Sequence, residues 1–401
     1  MQTERGVYAA FPQEEYVERH RKLQAEMADR DIDAILVTGK ENVVYFSGLE
    51  TVGWDSKHRP LGLIIPGDGE PVLVIPESLA YVAEATSWVA DVRLWGGFKR
   101  SGIPRDPVVA IADAIKDLGL DSGRLGLELG YGTRIAMSQA DYIQLAALLD
   151  GAELVDNAEA IWALRMIKSP AEIEVMREVC AHTCEAFRVG FEAMRAGMTE
   201  RGLAGIIFAE MALRTNFRPG FVGIRSGTLK YTMMNVPPFD KPLEPGDLVV
   251  VDAGAIVKDY WSDMMRMASI GEPTAEQQRF FDVDLEAQRA GMRAVRPGAP
   301  VGDPCQAALD VINDSGLGEH VPSLERVGHG LGMEVHEPPS LALNGTTPIE
   351  PGMILTVEPI FSDLPNYSIG NFAMEQILLV TETGTELLTP FTDELWIAPA
   401  S

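Results

Sequence analysis

Asp252 closes the apolar run Leu248-Val249-Val250-Val251, which reads as a buried strand. A carboxylate in that position restricts the chain to folds that bring it a cation or a hydrogen-bond donor. Asp263 follows eleven residues later, inside the strand-like segment YWSDMMRMAS (260–269). A hairpin centred between Val257 and Lys258 sets the two acids directly opposite, with Cβ atoms about 5 Å apart on one face. The chain then repeats the device. Glu358 follows the apolar run Met353-Ile354-Leu355-Thr356-Val357, Glu375 opens EQILLV (375–380), and the turn-rich SDLPNYSIGN lies between them. A hairpin centred between Asn366 and Tyr367 sets this second pair opposite. Four carboxylates directed into one core repel one another and coexist there only around shared cations.

His329 is the fifth member of the set. It stands in VGHGLGMEVHEPP (327–339), bracketed by Gly328 and Gly330, which let the backbone approach closely and leave the imidazole unobstructed. One histidine and four carboxylates form a hard, oxygen-rich ligand set suited to two divalent ions of the Mn²⁺, Co²⁺, Fe²⁺ or Zn²⁺ kind. Two such ions about 3.5–4 Å apart share a water, lower its pKa and clamp a substrate oxygen. His336, seven residues beyond His329, is placed to donate a hydrogen bond to a developing oxyanion or to shuttle a proton.

The rest of the chain frames this constellation. Its 401 residues are too many for one ordinary core, so two domains are expected. The formal net charge of −26 repels phosphates and anionic lipid, which argues against nucleic acid or a membrane surface as partner. Cys180, Cys184 and Cys305 are too few for a disulfide framework. The polar, acidic start lacks the layout of a signal peptide and no run has the length of a membrane span, so the expected location is cytoplasmic. Residues 13–30 read as an amphipathic helix. Short apolar runs at 33–39, 42–48, 61–67, 71–76, 124–130 and 152–156 read as strands, and 107–118 and 137–149 as helices, giving a small α/β domain with a mixed sheet. The boundary falls near 157–168. Ser169-Pro170-Ala171-Glu172 then starts a long helix, with Ser169 as cap, Pro170 in the first turn and Glu172 completing a capping box. Further helices are expected from Thr199 to about Arg214, at 274–295 and at 301–314. Alternating with the strand pairs, they make an α+β layer.

The spacing of Asp252 and Asp263, the tract from His329 to Pro339, Glu358 in Thr-Val-Glu-Pro and Glu375 together resemble the M24 metallopeptidases, the family of prolidase, aminopeptidase P and methionine aminopeptidase, with creatinase as a relative. The resemblance covers residues from about 165 to the end, and the first 160 resemble the creatinase N-terminal domain. It implies an α/β domain over 1–160 and a pita-bread catalytic domain over 165–401. It implies that Asp252 binds one metal, that His329 and Glu358 bind the other, that Asp263 and Glu375 bridge both, and that Glu358 serves also as general base. It further implies a homodimer in which an N-terminal loop of one subunit covers the active site of the next. On that footing Trp54 and His58, in TVGWDSKHRPLG, are candidates to gate the substrate.

Two positions depart from the peptidase pattern. Asn235 stands where the peptidases carry a histidine, and an asparagine donates a hydrogen bond but shuttles no proton. Ala373 stands where proline-specific members carry an arginine. Arg225 and Tyr231 flank the Asn235 segment and are candidates to contact an anionic group of the substrate. The leading expectation is a metal-dependent hydrolase of an amide or peptide bond in a small substrate, of the Xaa-Pro dipeptidase or aminopeptidase kind. The alternatives are an M24-like enzyme acting on a compatible solute, such as a dimethylsulfoniopropionate lyase or an ectoine-type hydrolase, and a catalytically silent binding module.

Overall fold

The computed structural model describes residues 5–56, 58–97, 102–215, 218–320, 324–363 and 368–401. The chain divides into two units, Met1–Arg165 and Met166–Ser401.

In the first unit, strands β1 (Ala34–Val37), β2 (Gly62–Pro66), β3 (Val72–Pro76), β4 (Asp91–Trp95), β5 (Arg124–Leu127) and β6 (Glu153–Asp156) form one mixed sheet in the order β4-β3-β2-β1-β5-β6. The helices are α1 (Gln13–Asp29), α2 (Lys40–Ser47), α3 (Ala80–Thr86), α4 (Pro107–Asp117), α5 (Gln139–Leu148) and α6 (Ala158–Arg165). The run at 42–48, expected as a strand, is helix α2. Asn42 to Ser47 are all buried, so no polar face marks the helical period. The helix is fixed by its ends. Glu128 accepts the amides of Thr38 (2.7 Å) and Gly39 (2.8 Å) and the side-chain amide of Asn42 (2.6 Å), while Gly48 closes the last turn with φ +73°.

The second unit holds α7 (Pro170–Ala193), α8 (Glu200–Arg214), α9 (Ala275–Ala294) and α10 (Asp303–Asp314). Ser169 and Glu172 form the expected capping box, and Thr199 and Thr274 cap the next two helices. The strands are β7 (Phe221–Ser226), β8 (Leu248–Gly254), β9 (Ile256–Val257), β10 (Tyr260–Trp261), β11 (Met264–Ile270), β12 (Arg326–Gly330), β13 (Glu337–Ala342), β14 (Ile354–Val357), β15 (Ile360–Ser362), β16 (Asn371–Ala373), β17 (Gln376–Thr381), β18 (Gly384–Leu387) and β19 (Trp396–Ala398). One sheet runs β19-β11-β8-β7, another β13-β12-β14-β17-β18, and two short ladders, β9–β10 and β15–β16, extend them. The inner faces meet in an apolar core in which Phe280, Phe361 and Phe372 pack ring on ring at 5.3–6.0 Å.

The first acid-bearing hairpin departs from the expected register. Asp252 pairs with Met265, not Asp263, because the turn is centred between Lys258 and Asp259. Those two residues have φ of +51° and +63°, the conformation of a two-residue type I′ turn whose twist matches the strands it joins. The slip is two residues, and a strand repeats its facing every two, so Asp263 stays on the face of Asp252, one step along.

The second hairpin keeps the expected register. Val357 pairs with Gln376 and Ile360 with Ala373, so Glu358 and Glu375 face each other in the break between the two ladders. The turn expected between Asn366 and Tyr367 lies outside the described residues.

Candidate metal centre

Both breaks in the strands fall at the acids. Asp263 and Glu375 are buried at 5% and 0% exposure, and Glu358 at 8%. Asp252, Asp263 and Glu375 each offer an oxygen within 4.8 Å of the others, and so do the ligand atoms of His329, Glu358 and Glu375. The two groups share Glu375. Asp263 also lies within that reach of His329 and His336.

The glycines around His329 do what their position suggests. A Cβ on Gly328 would stand 2.0 Å from the Thr356 carbonyl, and one on Gly330 2.3 Å from the Pro338 carbonyl. The Nδ1 of His329 donates to the Gly330 carbonyl at 2.9 Å, which places a proton on that nitrogen. Nε2 points at the acids, 3.2 Å from Glu358 and 3.9 Å from Asp263, without a hydrogen bond. Both carboxylate oxygens of Glu375 are likewise buried and receive no hydrogen bond. Buried lone pairs converging from one imidazole and four carboxylates fit a cation, and the donor set fits a divalent one.

The electrostatics agree. Burial pushes Asp263 and Glu375 well above the usual carboxylate range, and the neighbouring acids push them further. Burial also raises Asp252, to about 6, with Arg225 opposing. Glu358 differs: burial acts upward on it, but His329, Arg326 and His336 outweigh that and hold it below its ordinary value.

A cavity of about 530 Å³ opens onto the acids. Asp252, Asp263, Glu358, Glu375, His336 and Asn235 all line it, and Phe221, Val222, Met234, Val236, Pro237, Met265, Val335 and Ile360 supply its apolar wall. His336 sits 4.3 Å from His329, ring to ring, and burial lowers its pKa. Asn235 has φ +51°, a left-handed conformation that asparagine adopts more readily than most residues. Its loop is held down by a buried ion pair. Lys230 donates to Glu200 and to the Ile224 carbonyl (3.0 Å) and lies 4.4 Å from the Phe239 ring centre. Glu200 also accepts from Ser226 (2.7 Å) and the Phe239 amide (3.0 Å). Lys230→Met strands a charge at Glu200 and is expected to cost about 3–5 kcal/mol in urea unfolding, most of it recovered in the double variant with Glu200→Gln.

Arg225 and Tyr231 stand behind the wall. Tyr231 is 3% exposed, packs in the core and accepts the Leu248 amide at 3.0 Å. Arg225 is 2% exposed, with its guanidinium nitrogens 3.3 Å from the Met234 sulfur and 3.9 Å from the Met265 sulfur. Trp54, half-buried, and His58, exposed, belong to the first unit.

Sequence reasoning missed Arg326, which lines the cavity 3.3 Å from Glu358. Three residues before His329, it would face away from it on a regular strand. A bulge between the two turns both toward the cavity.

Residues 174–382 match the profile of metallopeptidase family M24, and residues 19–167 that of the creatinase/prolidase N-terminal domain. The chain is 30% identical to the Xaa-Pro dipeptidase of Lactobacillus delbrueckii subsp. lactis, over 94% of this chain and 98% of that one. It is 29% identical to the Xaa-Pro dipeptidase of Pyrococcus furiosus, over 94% and 99%. Among solved structures, it superposes on an Xaa-Pro dipeptidase from Bacillus anthracis with TM-score 0.82 and 25% identity, covering 95% of this chain and 99% of that one. The prolidase from Pyrococcus horikoshii matches with TM-score 0.79 and 27% identity, over 94% and 99%. The expected fold class, an α/β N-terminal domain followed by an α+β pita-bread domain, is the one shared with these structures. The chain belongs to metallopeptidase family M24 and is a metal-dependent hydrolase.

Proposed function

We propose that the protein hydrolyses the amide bond of short peptides of the Xaa-Pro kind, with two divalent ions of the Mn²⁺, Co²⁺, Fe²⁺ or Zn²⁺ type held by Asp252, Asp263, His329, Glu358 and Glu375. The observation that carries this reading is the pair of ligand groups that share Glu375 at the floor of one cavity. When bound, the ions activate a water as nucleophile and polarise the carbonyl it attacks. Glu358, the acid of the set that stays ionised most readily, takes the water's proton at a carboxylate oxygen and passes it to the leaving nitrogen. His336 is neutral at pH 7, since burial lowers its pKa, and donates its ring N–H to the oxyanion. Asn235, which lines the same cavity, donates its side-chain amide to the substrate. The apolar wall of Phe221, Met234, Val236 and Pro237 receives a compact ring such as proline.

In this reading Trp54 and His58 close the site in a homodimer, and the location is cytoplasmic. No helix among the described residues is long and apolar enough to cross a membrane. The names of the curated relatives support hydrolysis over a lyase reaction. The test is metal-reconstituted protein against Xaa-Pro dipeptides, ectoine-like amides and dimethylsulfoniopropionate. Hydrolysis of the dipeptides is expected. Release of a volatile sulfide with no amide cleaved would overturn the reading. His336→Ala is expected to lower kcat about 10²-fold with the metal content kept. Loss of one metal per chain would make His336 a ligand instead.

A further inference from the structure

His336 is aimed by its backbone. Among the described residues no hydrogen bond holds its ring, which meets His329 at 4.3 Å between ring centres. The next residue, Glu337, opens β13, and its carboxylate turns back under the loop that joins β12 to β13. One oxygen accepts the Glu334 amide at 3.2 Å, and the other accepts Lys168 Nζ at 3.1 Å. Both side chains of this ion pair are 1% exposed. Gly332 lies against the pair: a Cβ there would stand 2.8 Å from the Glu337 carboxylate and 3.1 Å from Lys168 Cε. Its carbonyl accepts the Trp261 amide at 2.7 Å, which ties the same loop to β10, just ahead of Asp263. Lys168 is fixed in turn. Its amide donates to the Gly352 carbonyl at 2.9 Å, in the turn that leads into β14, and Ser169 beside it caps α7. A continuous chain of contacts therefore runs from the start of α7, through Lys168 and Glu337, to the backbone next to His336. Desolvation offsets much of the attraction in a buried pair, so apolar side chains of similar size would hold the fold about as well. What they would not supply is direction, which a charge-assisted hydrogen bond gives to its acceptor.

We infer that Lys168 and Glu337 are positioning residues for the hydrolysis, holding the loop so that the ring N–H of His336 meets the oxyanion. The inference rests on the reading of His336 given above and adds the residues through which that histidine is aimed. Neither of the pair lines the cavity, so both act through His336 and not on the substrate.

The experiment measures kcat and KM on an Xaa-Pro dipeptide, metal content and melting temperature for the full chain loaded with Mn²⁺. The variants are Lys168→Met, the double variant Lys168→Met with Glu337→Gln, His336→Ala, and the triple combination. Lys168→Met strands a buried carboxylate and is expected to melt lower. The double variant leaves no charge unpaired, so its melting temperature is expected to return toward that of the parent and to keep the test decisive even where the single variant does not fold. Its kcat is nevertheless expected to stay down by about tenfold or more, with KM and metal content unchanged. In the His336→Ala background the same two substitutions are expected to cost no further kcat, because the residue they aim is gone. A kcat that returns together with the melting temperature would make the pair a support of the fold alone and overturn the inference. So would an equal loss of kcat with and without His336, or a loss of metal from the double variant. An unchanged kcat in His336→Ala itself would end the reading of that histidine, and the inference with it.

Discussion

Glu375→Gln or Asp263→Asn is expected to abolish metal binding and to lower kcat/KM by about 10³-fold or more, while the metal-free variant melts higher than the metal-free parent. The two effects have one cause. Each residue is buried, is pushed well above the usual carboxylate range by burial and by the neighbouring acids, and belongs to a ligand group that shares its members with another. Without a cation the carboxylate is a burden on the fold, and an amide of the same shape removes it. With a cation it would be one of the five side chains of the cage. Metal analysis, kcat/KM on a dipeptide and a melting curve in chelator check all three effects. A variant that melts lower than the parent in chelator would show that these acids support the fold for some reason other than metal.

Metal-free protein loses stability as pH rises from about 5 to 8, and the stabilisation conferred by metal grows over the same window. Asp252 is raised from an ordinary 3.8 to about 6. Between those values the folded chain holds a proton that the unfolded chain has released, so unfolding releases protons and stability falls with rising pH. That one group accounts for on the order of 3 kcal/mol above pH 6. Asp263 and Glu375 act with the same sign and carry the loss to higher pH. Glu358, held low, acts oppositely: its contribution is present above the unfolded carboxylate value and is lost only as pH falls through its folded one. Divalent ions displace the protons, so their affinity rises with pH. Melting temperatures in chelator and in Mn²⁺ at pH 5, 6, 7 and 8 should diverge by several degrees. Parallel curves would refute the account.

The clustered acids were legible because burial makes an acid conspicuous in an apolar run, and the pairing of Glu358 with Glu375 followed from strand periodicity alone. The other hairpin was offset by two residues because Lys258-Asp259 lacks the glycine or asparagine that usually marks a type I′ turn. Helix α2 was misread because it is buried all round, so its period was hidden, and the acid that caps it, Glu128, lies far along the chain. Arg326 was invisible for a different reason. Its direction depends on a bulge, and strand alternation predicts the opposite face. The Lys230–Glu200 pair, thirty residues apart, has no local signature at all.

The cage is divided between two sheets. Asp252 and Asp263 come from the β8–β11 hairpin, and His329, Glu358 and Glu375 from strands of the other sheet and their junctions; the amide of Glu375 donates to the Met265 carbonyl at 3.2 Å where the two meet. An ion seated there would clasp the two sheets together. Losing it would leave the acids of both sheets to repel one another across that junction, so chelation is expected to loosen the two sheets together, read as faster amide exchange in β8, β11, β14 and β17.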